Sequence, residues 1–150
     1  MAVELDYDGI RQYIKIRYPV LMIDKATVEP GINSVACKYL TGNEAFWQGH
    51  YPEHPMMPGT YQLEAMAQTF SLTFLVPENP DRNGGAGVDA SSIPRLVGFD
   101  KVRFFKEVQP GHILEIRTEL IKLKRGLAEG SAAAFIENIC VCSAEIRTMV

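Results

Sequence analysis

The sequence predicts a single α+β domain, an antiparallel sheet wrapped around one long buried helix. Two observations carry this. Thr60 to about Val76 is apolar on most of its circumference, so it needs cover on nearly every side. Around it, strand-like runs alternate with tight-turn signals, with a hairpin before the helix and three strands after it, which is the order an antiparallel sheet uses. A chain of 150 residues holds one core of this size, and no repeat, low-complexity tract or linker divides it.

The elements follow in order. Ile10, Tyr13 and Ile14 recur at helical spacing with Arg11, Gln12 and Lys15 between them, giving a short amphipathic helix. Tyr18-Pro19 ends it, because the residue before proline avoids helical angles. Val20 to Val28 is β-branched enough for a buried strand. Pro30-Gly31 turns the chain, and Asn33 to Leu40 returns it. Thr41 to Gly59 carries Pro52, Pro55, Pro58 and Gly59, which makes it a loop with fixed corners. The following helix is interrupted only by a polar stripe of Thr60, Glu64, Gln68 and Ser71 on one face. Pro77 to Pro94, rich in Gly, Asn, Asp and Ser, reads as a mobile surface loop. Arg95 to Val108 and Ile113 to Lys124 are strands joined at Pro110-Gly111. After Arg125-Gly126 the chain runs to a turn at Glu137-Asn138, and Ile139 to Met149 closes the sheet.

The net charge of −3 argues against nucleic acid or an anionic membrane as partner, since both select for a basic surface. No run approaches the ~20 apolar residues of a membrane span, and the acidic start lacks the pattern of a signal peptide. A cytoplasmic protein is expected. Cys37, Cys140 and Cys142 form no CxxC pair and read as reduced, packed thiols.

The chemistry concentrates between Phe46 and Gln68. His50 lies in a proline-bounded loop that can hold its ring still, and imidazole titrates near neutrality, as a base must. Gly59 opens the long helix, where backbone N–H groups have no partner and the dipole is positive, a setting that stabilises an oxyanion. Glu64 sits in an otherwise apolar helix, which disfavours its anion and suits a proton donor. A base, an acid and an oxyanion donor are the parts needed to eliminate water β to a carbonyl. His50 and His54 with Glu53 do not make a zinc motif, because Pro52 and Pro55 forbid the helix that would align them.

The stretches FWQGHYP, PMMPG and EAMAQ resemble the signature of the (3R)-hydroxyacyl-acyl-carrier-protein dehydratases of fatty acid synthesis. Arg17 to Asp24, Leu96 to Phe104 and Val108 to His112 extend the resemblance over nearly the whole chain. It implies a hot-dog fold, with His50 as base, Glu64 as acid and the Gly59 N–H on the thioester carbonyl. It also implies an active site shared between two subunits of an obligate homodimer, often a trimer of dimers. The acyl tunnel would run along the helix past Tyr51, Met57, Met66 and Phe70, and no metal or organic cofactor is implied. The partner is an acyl carrier protein, whose acidic helices would meet basic residues among Arg11, Lys15, Arg17, Lys101, Arg103 and Lys106. The chain departs from the pattern at Ile16, where the family has histidine, at Tyr51, and at Thr60, Tyr61 and Gln62, where it has aliphatic residues. A hot-dog thioesterase and a non-catalytic acyl-binding paralogue are the alternatives. The intact pair His50 and Glu64 favours the dehydratase.

Overall fold

The computed structural model describes residues 1–79, 81 and 84–150. Its elements are β1 (Val3–Leu5), α1 (Tyr7–Tyr13), β2 (Lys25–Glu29), β3 (Asn33–Tyr39), α2 (Gly59–Leu75), β4 (Arg95–Phe104), β5 (Ile113–Lys124), β6 (Leu127–Ile136) and β7 (Ile139–Met149), with one short 3-10 turn at Ala45–Gln48. The strands form one antiparallel sheet in the order β1-β2-β3-β5-β6-β7-β4. α2 lies against β2, β3, β5, β6 and β7, so the expected architecture of a helix inside a wrapped sheet is present. Met66, Phe70, Leu72, Phe74 and Leu75 are fully buried in it.

Local chemistry sets the ends of these elements. Asp6 caps α1 by accepting the Gly9 N–H at 2.8 Å. Arg125-Gly126 and Glu137-Asn138 are two-residue hairpins with positive φ at both positions, the backbone that matches the twist of paired strands.

Four expectations need correction. β6 was read only as chain running to a turn, because Leu127 to Ile136 is mostly Ala, Gly and Ser, types with little strand signal. The reason for the small residues is steric: a side chain on Gly130 would overlap the Phe70 ring and the Glu119 carbonyl. β2 starts at Lys25 rather than Val20. Between them the backbone is held by a side chain instead of a strand, with Met22 N–H donating to Gln68 Oε1 and the Val20 carbonyl accepting from Gln68 Nε2. β1 is an additional three-residue strand on β2. The loop from Pro77 to Pro94 includes positions 80, 82 and 83, outside the described residues. Part of the rest is not surface: Gly85 is buried, and a side chain on it would strike the Val76 carbonyl.

β4 ends the sheet, and its outer edge has no partner strand among the described residues. Leu96, Val97 and Phe104 on it, and Phe105 just beyond, are about half exposed. No helix among the described residues is long and apolar enough to cross a membrane.

Candidate active site

His50 is delivered by a loop whose shape originates at Glu44. That carboxylate is largely buried and accepts from Thr41 N and Gly42 N, both at 2.9 Å, and from the Trp47 indole at 2.6 Å. An acceptor-only group suits a site where every neighbour donates. With Trp47 fixed, the turn at Ala45–Gln48 presents the Phe46 carbonyl to His50 N–H at 3.2 Å. The His50 carbonyl accepts from Met56 N–H at 2.9 Å, and His50 Nδ1 lies 3.0 Å from the Met56 carbonyl. A carbonyl only accepts, so Nδ1 carries a proton, and in the neutral imidazole Nε2 is the nitrogen that holds the lone pair. Tyr51 stacks on the imidazole with ring centres 4.5 Å apart.

His50 opens onto a concavity with Met57, Gly59, Gln62, Phe104 and Lys106. Pro58 offers α2 no side-chain cap, which leaves the N–H of Gly59 available at the positive end of the helix. A Cβ on Gly59 would lie 2.7 Å from the Phe104 ring, so only glycine lets that ring close over the helix start.

Glu64 lies elsewhere. It lines a groove of 430 Å³ on another side of α2, together with Ala67, Gln68 and Ser71, the i+3, i+4 and i+7 positions of its own face. Its Oε1 accepts from Gln68 Nε2 at 2.8 Å, and Gln68, nearly fully buried, is held by Met22 and Val20. The two concavities share no residue. One subunit therefore places His50 and the start of α2 at one concavity and the Glu64 carboxylate at another, and does not join them in one cavity.

The remaining expected residues divide. Met57 is a wall of the His50 concavity, and Tyr51 is exposed beside the imidazole. Met66 and Phe70 are fully buried on the sheet-facing side of α2 and line neither concavity. Among the basic candidates, Arg11 pairs with Asp8, Lys101 with Glu145, Lys15 donates to the Gln12 carbonyl, and Arg17 satisfies the carbonyls of Arg11, Ile14 and Ile16. Arg103 and Lys106 are exposed and make no side-chain hydrogen bond or ion pair among the described residues, and Lys106 stands at the His50 concavity. His54 pairs with Glu107 at 2.8 Å. His112 is half-buried, and its Nδ1 has no partner among the described residues. Among the described residues no group of three or more His, Cys, Asp or Glu side chains gathers as a metal site would. Sequence reasoning missed Glu44. Its available signal was an acid three residues before a tryptophan, at the mouth of the loop that carries His50.

Residues 15–145 match the FabA-like domain family. The chain is 39% identical over 147 residues to the 3-hydroxyacyl-acyl-carrier-protein dehydratase FabZ of Staphylococcus aureus, covering 97% of this chain and 94% of that one. Among solved structures it superposes on the dehydratase heterocomplex ApeI:P from Xenorhabdus doucetiae with a TM-score of 0.72 at 14% identity, over 93% of this chain and 89% of the other. A hypothetical thioesterase with coenzyme A from Streptococcus pneumoniae gives 0.59 at 12% identity, over 81% and 80%. These structural likenesses carry the fold, the hot-dog arrangement of helix and sheet.

Proposed function

The chain belongs to the FabA-like family of 3-hydroxyacyl-acyl-carrier-protein dehydratases, and on that premise we propose that His50 of one subunit and Glu64 of a second copy act on one substrate. The substrate is a (3R)-hydroxyacyl thioester presented by an acyl carrier protein in fatty acid or related acyl-chain synthesis, and the product is the trans-2-enoyl thioester. His50 Nε2 takes the C2 proton while the Gly59 N–H holds the thioester oxygen, on which charge develops. Glu64 protonates the 3-hydroxyl, the C3–O bond breaks, and the C2 electron pair becomes the double bond as water leaves. The cycle closes when the proton on His50 of one subunit passes through water to the Glu64 carboxylate of the other, restoring the neutral imidazole and the protonated acid.

The observation that carries this reading is the separation of His50 and Glu64 into two concavities of one subunit. The unpaired, half-apolar edge of β4 supports a second copy beside it, since an open edge is a template for pairing and a two-fold contact is self-complementary. Arg103 and Lys106, without side-chain partners among the described residues, are the basic residues best suited to meet the carrier. A cytoplasmic location goes with this substrate.

The test uses enoyl absorbance with the wild type, His50→Ala and Glu64→Gln. Each variant alone is expected to lose at least ~10²-fold, the low end of what acid–base catalysis contributes. Refolded together, the two inactive variants should regain about a quarter of wild-type activity, the statistical yield of intact sites in a two-fold dimer. Mixed dimers without regained activity would refute the shared site. Sedimentation of the same samples distinguishes a dimer from a trimer of dimers. Thioester hydrolysis in place of enoyl formation would favour the thioesterase.

A further inference from the structure

A polar side chain in the first turns of α2 has no partner inside the protein. Gln62 is 3% exposed and stands at the i+3 position from Gly59, on the same face of the helix. Long side chains on a helix lean back toward its N-terminus, so the Gln62 amide lies over the turn that Gly59 opens. Both residues line the His50 concavity. Gln62 is also one of the positions at which the chain departs from the aliphatic residues of the pattern it resembles. An aliphatic side chain would fill the same space with no polar group to satisfy.

The amide is unpaired at both ends, but only one end is closed off. Gln62 Oε1 is sealed from solvent without a hydrogen-bond partner. Nε2 makes no hydrogen bond among the described residues either, yet it is not sealed, so the amide meets the concavity through its N–H donors. The reverse orientation would be worse, because it buries two unpaired N–H groups in place of one oxygen. Among the side chains lining the concavity, Gln62 brings the only buried donor: Thr60 and Lys106 are exposed, and Glu107 pairs with His54. A buried donor left unpaired costs stability unless a ligand completes it. In the dehydratase reading, on which this rests, the thioester oxygen lies on the Gly59 N–H and gains negative charge as His50 takes the C2 proton. We infer that Gln62 Nε2 donates to that same oxygen, as a second oxyanion donor beside Gly59. A donor fixed in the wall before the reaction begins needs no reorganisation when the charge appears.

The experiment compares wild type with Gln62→Met, which keeps the length of the side chain, and Gln62→Leu, which restores the aliphatic type. In both, kcat for a 3-hydroxyacyl thioester should fall about 10²-fold, the low end for loss of one oxyanion donor, with KM little changed. Their unfolding free energy should hold or rise, since each removes an unpaired buried amide. A side chain with a purely structural role would lose stability together with activity. The carbonyl stretch of a bound saturated acyl thioester, which has no 3-hydroxyl to eliminate, should lie at lower frequency in wild type than in either variant. If Gln62→Met does not fold, Gln62→Leu decides; if neither folds, the role of Gln62 is structural and the inference falls. Wild-type kcat in the variants, an unshifted stretch, or stability lost along with activity overturns it and leaves the dehydratase reading standing. A folded wild-type dimer that dehydrates no 3-hydroxyacyl thioester overturns both.

Discussion

His50 and Glu64 are held in opposite ways. His50 stands on a loop, and its place descends through hydrogen bonds from Glu44 to Trp47, then from the Phe46 carbonyl to its own N–H, and from its ring to the Met56 carbonyl. Glu64 stands on a helix whose far side is packed solid by Met66, Phe70 and Phe74, and needs only the Gln68 amide to fix its carboxylate. A loop without regular structure requires a buried polar hub to hold a catalytic ring. A helix inherits rigidity from the core. The two halves should therefore fail differently, the first in catalysis and the second in stability.

The largest effect is expected at Glu44. Glu44→Ala removes the hub, lets the imidazole wander, and should lower kcat about 10²-fold, the scale of an ångström's misplacement. KM should change little, because the Glu64 groove contains no residue of that loop. Glu44→Gln should behave nearly as badly, since an amide sets its own NH₂ against donors such as the Thr41 and Gly42 N–H groups. Steady-state kinetics on the folded dimer would check this, and a raised KM with unchanged kcat would contradict it.

Gln68→Leu attacks the other half. It strands the Met22 N–H and the Val20 carbonyl and should cost about 2–3 kcal/mol in denaturant unfolding, as a buried group left unpaired does. A loss below about 1 kcal/mol would mean that the amide is not what holds this segment.

How far the sequence reveals these halves follows from the same contrast. α2 was legible because a helix apolar all round has few other homes, and the His50 loop because prolines mark its corners. β6 was not, since its run of Ala, Gly and Ser has little strand signal, and at Gly130 the close Phe70 ring leaves no room for a side chain. The start of β2 was misplaced because Gln68, about 46 positions away, completes the backbone there, and local patterns do not record such contacts. At the candidate site, the motif points to His50, Gly59 and Glu64, but nothing in their spacing says that one chain keeps His50 and Glu64 in separate concavities. The resemblance implies an acyl tunnel past Tyr51, Met57, Met66 and Phe70, whereas the Glu64 groove follows the polar stripe, with Gln68 and Ser71. Glu44 looks like an ordinary surface acid until its donors are located.

A smaller effect separates two glycines near the His50 half. Gly59→Ala forces the Phe104 ring away from the helix start and should reduce kcat/KM about tenfold, less than the ~10²-fold or more that outright loss of an oxyanion donor costs. Gly49→Ala is its control. A Cβ there meets nothing within 4 Å and φ is −112°, so its stability should stay within about 0.5 kcal/mol of wild type. Equal effects at both would mean that loop flexibility, not the Phe104 contact, is what matters.

The smallest effect is a pH dependence of the loop half. Burial by itself would raise the Glu44 carboxyl above its ordinary 4.5, but donation from Thr41, Trp47 and Gly42 favours the anion more, and the net shift is downward. The folded protein therefore gives up the Glu44 proton more readily than the unfolded chain. The stability this adds is complete above 4.5 and is lost as pH falls through the lower folded value. The unfolding free energy of wild type minus that of Glu44→Gln should accordingly be constant near neutrality and narrow below pH 4.5. Parallel curves for wild type and Glu44→Gln down to the acid transition would show that the hub works by shape rather than by charge.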